Sequence, residues 1–267
     1  EIYQRYEFKA LLREVDVSAA PAAPGVAAAS AVPERETGTE YETVTTRAQL
    51  DAWLQRIGAA DLTCIDTETT SLDPMAARLV GISLSVEPLK ACYIPLAHHY
   101  AGVPEQLALD ATIAALRPWL ESPHHRKVGQ HLKYDMHVFA NHGLRLAGVA
   151  HDTLLESYVL EAHRNNDMDS LAERHLGRKT LTYAEVCGKG ANQLCFDEVA
   201  IDRATDYAAE DAEVTLALHR QLWPQIEPNE RLRAVYQDIE LPVSQVLFRM
   251  ERTGVLIDSA VLAAQSR

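Results

Sequence analysis

The chain has 267 residues, 47% of them hydrophobic and 24% charged, enough for one large core with appendages. Its net charge of −13 argues against a protein that grips long duplex DNA through many phosphate contacts, while leaving room for a short nucleic-acid end held through metal ions and a few local cations. No signal peptide is visible, no apolar run approaches the roughly 20 residues that span a bilayer, and Cys64, Cys92, Cys187 and Cys195 lack CxxC spacing, which fits reduced thiols better than a disulfide frame or a zinc site.

The chain starts at Glu1, which reads as a cut site, and "EIYQRYEFKALLREV" could form a short helix belonging to something upstream. Residues 17–33, "VSAAPAAPGVAAASAVP", are small residues and prolines without an apolar face, so a linker is assigned to 17–44. "TTRAQLDAWLQRIG" predicts a helix capped by Thr46, with Leu50, Trp53, Leu54 and Ile57 on one face and Gly58 closing it. Three strands follow. "LTCID" is short and apolar, "RLVGISLSV" alternates, and "ACYIPL" places Cys92, Ile94 and Leu96 together. Short connections make them an antiparallel meander. A helix is expected at "DATIAALRPWLES", a fourth strand at "RKVGQH" and a helix at "LKYDMHVFANHG". The remainder is mostly helical, with "VAIDRATDYAAEDAEVTLALHRQLW" stopped by Pro224 and one more helix over residues 230–252. Together these elements predict an α/β domain. No GxGxxG follows the first strand, which disfavours dinucleotide binding.

The first strand ends in "IDTET". Residues two apart on a strand share a face, so Asp66 and Glu68 project together. Carboxylates this close repel unless a positive charge lies between them, and hard divalent cations prefer oxygen ligands. Taken alone, a turn after the strand explains a D-x-E as well. Two further acids shift the balance. Asp135 follows the fourth strand, at the start of a helix. Asp211 lies one turn after Tyr207, in line with Val214, Leu218 and Leu222, so both should face the domain body. Asp206 and Glu210 are turned about 100° away and are assigned to solvent. An arginine such as Arg203 is the competing partner for a buried Asp211.

"IDTETTSLD", "GQHLKYD" and "YAAEDAEVTL" resemble the three exonuclease motifs of the 3′-5′ proofreading domain of bacterial DNA polymerase I, one of the RNase H-like exonucleases with four acids and a tyrosine. "HDTLLESYVL", "DMDSLAER" and "GKGANQLCF" are similar to it too, and the similarity covers roughly residues 45 to 265. The resemblance implies an RNase H-like exonuclease fold, a mixed β-sheet with flanking helices. It implies the end of an upstream 5′-nuclease region at 1–16, the exonuclease domain at 45–228 and a truncated start of a polymerase domain at 229–267. It also implies that Asp66, Glu68, Asp135 and Asp211 hold two divalent cations, Mg²⁺ or Mn²⁺, with Zn²⁺ admitted at one site. One ion would use Asp66, Glu68 and Asp211, the other Asp66 and Asp135, with Tyr207 orienting the attacking water.

Thr67, Leu72, Gln130, His131 and Tyr183 match positions that contact DNA, Leu72 as a wedge beside the terminal base. Arg174, Arg178, Lys179 and Lys189 could track the backbone or form a solvated face. Two positions depart from the family: His131 replaces a usual asparagine and Thr70 a usual acid. The implied activity is hydrolysis of the 3′-terminal phosphodiester of single-stranded DNA, as a proofreading module in replication and repair. The implied setting is a bacterial cytoplasm near the nucleoid, in a monomer whose partner is the polymerase domain of the same chain. An RNase D-like RNA 3′-exonuclease and a catalytically silent scaffold domain are the alternatives.

Overall fold

The computed structural model describes residues 38–190 and 193–266. The expected upstream segment at 1–16 and most of the linker fall outside them. The fold is built on a six-stranded sheet in the order β1-β4-β3-β2-β5-β6. These strands are β1 (Glu40–Thr43), β2 (Thr63–Thr69), β3 (Leu79–Glu87), β4 (Lys90–Pro95), β5 (Lys127–Gly129) and β6 (Val149–Asp152). The predicted meander is present: β2 and β4 both pair antiparallel with β3. The other pairings, β1 on β4, β5 on β2 and β6 on β5, are parallel, so the sheet is mixed. Strands β1 and β6 are missing from the sequence reading, which ran the linker through residue 44. Each has four residues without a clean apolar alternation, and tertiary pairing decides such segments.

One face of the sheet is covered by α1 (Arg47–Ala59), α2 (Leu109–Leu120) and α3 (Leu132–Asn141). Helix α1 starts as its sequence predicts, with Thr46 and Gln49 forming a capping box. Leu50, Trp53 and Ile57 are buried against the sheet, each contributing about 2 kcal/mol through lost apolar surface. Gly58 does not close this helix; it lies within it, and Ala60 is the cap.

The other face carries α4 (Thr153–Glu161), α5 (Met168–Leu171, continued by a π turn over Ala172–Leu176), α6 (Tyr183–Cys187) and the long α7 (Ile201–Ile226). Pro224 does not stop α7, which runs two residues past it. The missing N–H costs a single hydrogen bond to the carbonyl four residues back, and in the last turn the helix absorbs that loss. Ala204, Ala208 and Ala212 recur every four residues and are fully buried, so the small side chains let α7 lie close on the sheet.

After α7 come α8 (Glu230–Ala234), a π turn (Val235–Glu240) and α9 (Leu241–Thr253), the single further helix that the sequence indicates, and then α10 (Ser259–Gln265). Among the described residues no helix is long and apolar enough to cross a membrane. All four cysteines are free.

Candidate active site

Cys64 packs against Ala212 and Leu216 of α7, whereas Ile65 belongs to the core under α1–α3. Alternation along β2 therefore sends Asp66 and Glu68 to the α7 face and Thr67 to the α3 face. Close approach of α7 brings Asp211 to the same place. One ligand atom from each of Asp66, Glu68 and Asp211 lies within 4.8 Å of the other two. Asp135 is outside that trio but beside it. It sits in the first turn of α3, is buried, and accepts a hydrogen bond from the Thr67 hydroxyl at 2.5 Å.

Burial drives the electrostatics. It pushes the Asp66 carboxyl up to about 7, eased by the Thr67 backbone N–H. Glu68 is raised well above the carboxylate range by burial and then by the Asp66 and Asp135 charges. Asp135 is raised by burial and then by Asp66. Asp211 is raised by burial and then by Asp66 and Glu68, with Tyr207 easing it. Among the described residues no lysine or arginine pairs with these four, and Arg203 does not neutralise Asp211. The Asp211 Oδ1 atom is buried without a hydrogen-bond partner. Clustered buried carboxylates with no counter-charge are costly, and an all-oxygen donor set of this kind suits a hard divalent cation.

Tyr207 is half-buried one turn before Asp211. Burial, then the charges of Asp211, Glu68 and Asp66, push its phenol well above its usual value. At neutral pH it keeps its proton, so it can donate or accept a hydrogen bond and orient a water but not act as a phenolate base.

Asp66, Glu68, Asp211 and Tyr207 line a cleft of about 580 Å³ together with Thr67, Leu72, Tyr134, Tyr183 and the stretch Gln193–Cys195, whereas Asp135 sits behind Thr67 outside that lining. Leu72 is 94% exposed, so it is not a half-buried loop leucine. Tyr183 is stacked at 6.3 Å on Phe196 and meets Tyr207 edge-on at 6.3 Å. Gln130 and His131 do not line the cleft. The Gln130 amide donates to the Asn166 carbonyl and its oxygen meets the Thr153 hydroxyl. His131 is exposed in a left-handed conformation (φ 61°) at the N-cap of α3, where its N–H donates to Asp152 Oδ1. The Thr70 hydroxyl accepts from the Arg78 N–H, holding the turn after β2. Of the four cations, Arg178 forks onto buried Glu213 at 2.7 and 3.2 Å and Arg174 bonds Glu161, while Lys179 and Lys189 are exposed.

Several residues escaped the sequence reading. Glu210 is not in solvent. It is buried and accepts from the Leu181 N–H at 2.6 Å, because α7 is flanked on that side by the 180–187 segment. Tyr134, next to Asp135 in "LKYD", donates to the Ser71 carbonyl at 2.5 Å and holds the loop that carries Leu72. Gly81 faces Glu68 across the β2–β3 ladder, and a Cβ there would stand 2.2 Å from the Tyr93 hydroxyl. Tyr93 in turn bonds His98, which bonds the Val199 carbonyl just before α7. This buried chain links the strand beside Glu68 to the start of α7 without lining the cleft, and no local pattern marks it.

A second group, His151, Glu156 and His219, is also close and buried. Arg126 Nη2 lies 2.9 Å from His151 Nε2. Arginine only donates, so that nitrogen accepts and His151 Nδ1 carries the proton that it gives to Glu156 Oε1. His219 Nδ1 bonds the same oxygen. The trio is thus a buried hydrogen-bonded unit whose inward-facing His151 nitrogen is protonated and unsuited to a metal.

The "3′-5′ exonuclease" family model matches residues 41–227. DNA polymerase I of Pseudomonas aeruginosa is 46% identical over 269 residues, a match covering 100% of this chain and 29% of that protein. The chain thus spans less than a third of the length of the curated relatives it matches. Among solved structures, the POL domain of Pol1 from M. smegmatis in complex with DNA primer-template and dNTP superposes with a TM-score of 0.66 at 22% identity, covering 84% of this chain and 34% of that one. Escherichia coli RNase D, an exoribonuclease involved in structured RNA processing, gives 0.56 at 18% identity, covering 81% and 52%. Both structures speak for the fold alone. The family match spans both strands and helices that build the acidic cleft, and the chain belongs to the 3′-5′ exonuclease family represented in bacterial DNA polymerase I.

Proposed function

We propose that this chain hydrolyses the 3′-terminal phosphodiester of single-stranded DNA with two divalent cations, as the proofreading module of a longer DNA polymerase. The observation that carries this reading is the trio of half-buried Asp66 with buried Glu68 and Asp211, with no cationic partner among the described residues and an unpartnered Asp211 oxygen, at the foot of an open cleft. Asp66, Glu68 and Asp211 would hold one ion, and Asp66 with Asp135 the other. Mg²⁺ or Mn²⁺ suits these oxygens, with Zn²⁺ admitted at the first site. When bound, the ions supply charge neutralisation at the scissile phosphate and a water acidified for attack.

The chain's own groups do the rest. Tyr207, protonated, orients the attacking water by hydrogen bonding. Leu72, projecting into solvent beside the cleft, supplies an apolar contact for a terminal base of any identity. The Tyr183 ring is available for stacking at the cleft wall. Thr67 both lines the cleft and fixes Asp135. Gln130 and His131 stand outside the cleft, and a strand longer than one nucleotide would have to reach them. Residues 229–267 would open the polymerase domain that delivers the strand end, in a monomer working in the bacterial cytoplasm at the nucleoid.

Mn²⁺ titration of the purified chain tests the metal reading: two ions per chain, both lost on Asp66→Ala, are expected. No binding at millimolar Mn²⁺, with or without DNA, would leave a scaffold. Parallel digestion of DNA and RNA oligonucleotides of one sequence tests the substrate. Faster RNA cleavage would favour the RNase D-like alternative.

A further inference from the structure

The helix that carries Asp135 is gripped from behind by a helix outside the family match. Residues 41–227 match the exonuclease family, whereas α9 begins at Leu241. Helix α9 lies along α3 and makes a row of specific contacts. Glu251 Oε1 accepts from Lys133 Nζ at 2.5 Å, and Glu251 Oε2 lies 2.8 Å from His137 Nε2. The Phe248 ring is 4.7 Å from the His137 ring. Arg252 donates to the Asn141 side chain at 2.6 Å.

Lys133 and His137 are four residues apart, so they share one face of α3. Asp135 lies midway between them in sequence and about 200° around the helix from each, facing β2 and the Thr67 hydroxyl. One carboxylate therefore bridges two points on the back of α3, one on either side of Asp135. His137 is 1% exposed and its Nδ1 has no partner, so Glu251 is the one hydrogen-bond partner recorded for this buried imidazole among the described residues. Without it the ring would be left buried with an unmet donor, a cost that drives local rearrangement.

We infer that Glu251 is a positioning residue for Asp135: by clamping Lys133 and His137 it fixes the rotation and height of α3. The ion held by Asp66 and Asp135 then depends on it, and the ion held by Asp66, Glu68 and Asp211 does not. This rests on the two-ion reading above. Partners hydrogen-bonded directly to a metal ligand typically change affinity by about 10-fold or more; Glu251 bonds the neighbours of Asp135 and acts one step further out, so a severalfold loss is expected.

The test is Mn²⁺ titration of the full chain, wild type against Glu251→Ala, each with and without Asp135→Asn. The clamp predicts that Glu251→Ala weakens one of the two ions severalfold, spares the other, and has no further effect once Asp135 is asparagine. Lys133→Met, which removes the other half of the clamp at a part-exposed position, should weaken the same ion. In the metal-free chain, amide hydrogen exchange should speed up along α3 and not along α7. Equal weakening of both ions, unchanged binding, or an effect that persists undiminished with Asp135→Asn would overturn the clamp. Because the spared ion reports that the variant is folded, general unfolding is distinguished from loss of the clamp. Wild type binding fewer than two ions would instead defeat the two-ion reading itself.

Discussion

Replacing Asp66 with asparagine should make the metal-free chain more stable while disabling it. Burial raises the Asp66 carboxyl from an ordinary 3.8 to about 7. Each tenfold change in proton affinity is worth about 1.4 kcal/mol, so holding Asp66 ionised in the fold at pH 8 costs roughly 4 kcal/mol relative to the unfolded chain. Asp66 is half-buried, and water in the cleft screens it, leaving about 2 kcal/mol as the working figure. The fold binds this proton more tightly than the unfolded chain does. The metal-free protein therefore loses stability as pH rises from about 4 to about 7 and stays at that lower level above. Asparagine keeps the shape and removes the charge. Urea unfolding in EDTA should show a gain of about 2 kcal/mol at pH 8 and less than half of that at pH 5. Adding Mg²⁺ at pH 8 should stabilise the wild type and leave Asp66→Asn unmoved. A variant that is less stable than wild type at pH 8 in EDTA, or one that still responds to Mg²⁺, would refute the view of these acids as an uncompensated metal site.

His131→Asn should raise stability by about 0.5 kcal/mol, because asparagine tolerates the left-handed conformation better, and His131→Val should lower it by about 1–2 kcal/mol; urea midpoints in the opposite order would contradict this. Cleavage by His131→Asn should be equal to wild type or better, and a tenfold loss would give His131 a role of its own. Gly81→Ala should cost about 2–3 kcal/mol, since its Cβ would collide with Tyr93, and should slow cleavage by disturbing the strand that pairs with Glu68; a melting temperature within a degree of wild type would refute it. Leu72→Ala should leave the unfolding curve untouched, as its side chain is 94% exposed, and raise KM for single-stranded DNA severalfold. An unchanged KM would remove the wedge.

The clustering of Asp66, Glu68 and Asp211 was legible because each position depends on a short-range period. Asp66 and Glu68 share a face through the two-residue repeat of a strand. Tyr207 and Asp211 do so through one helical turn, and the apolar stripe continuing from Asp211 through Val214, Leu218 and Leu222 gave that face its direction. Thr46 was legible as a cap for the same local reason. The helix ends at Gly58 and Pro224 failed locally, because a single glycine or a last-turn proline does not by itself end a helix; the other failures were set by distant parts of the chain. Glu210 looked solvent-facing from helical phase, yet the 180–187 segment covers that side of α7. Strands β1 and β6 exist through their neighbours in the sheet. The Gly81–Tyr93–His98 chain joins residues whose proximity no spacing reveals. His131 is instructive in another way. Its place in the motif suggested a DNA contact, while its backbone shows why asparagine suits the position irrespective of DNA.

The most direct test of the central claim is incubation of the purified chain with 5′-labelled single-stranded DNA, in Mg²⁺ or in EDTA, beside Asp66→Ala. The account predicts a ladder that shortens from the 3′ end in Mg²⁺ and is absent in EDTA and in the variant. A ladder of normal intensity from Asp66→Ala, or one that persists in EDTA, would contradict it.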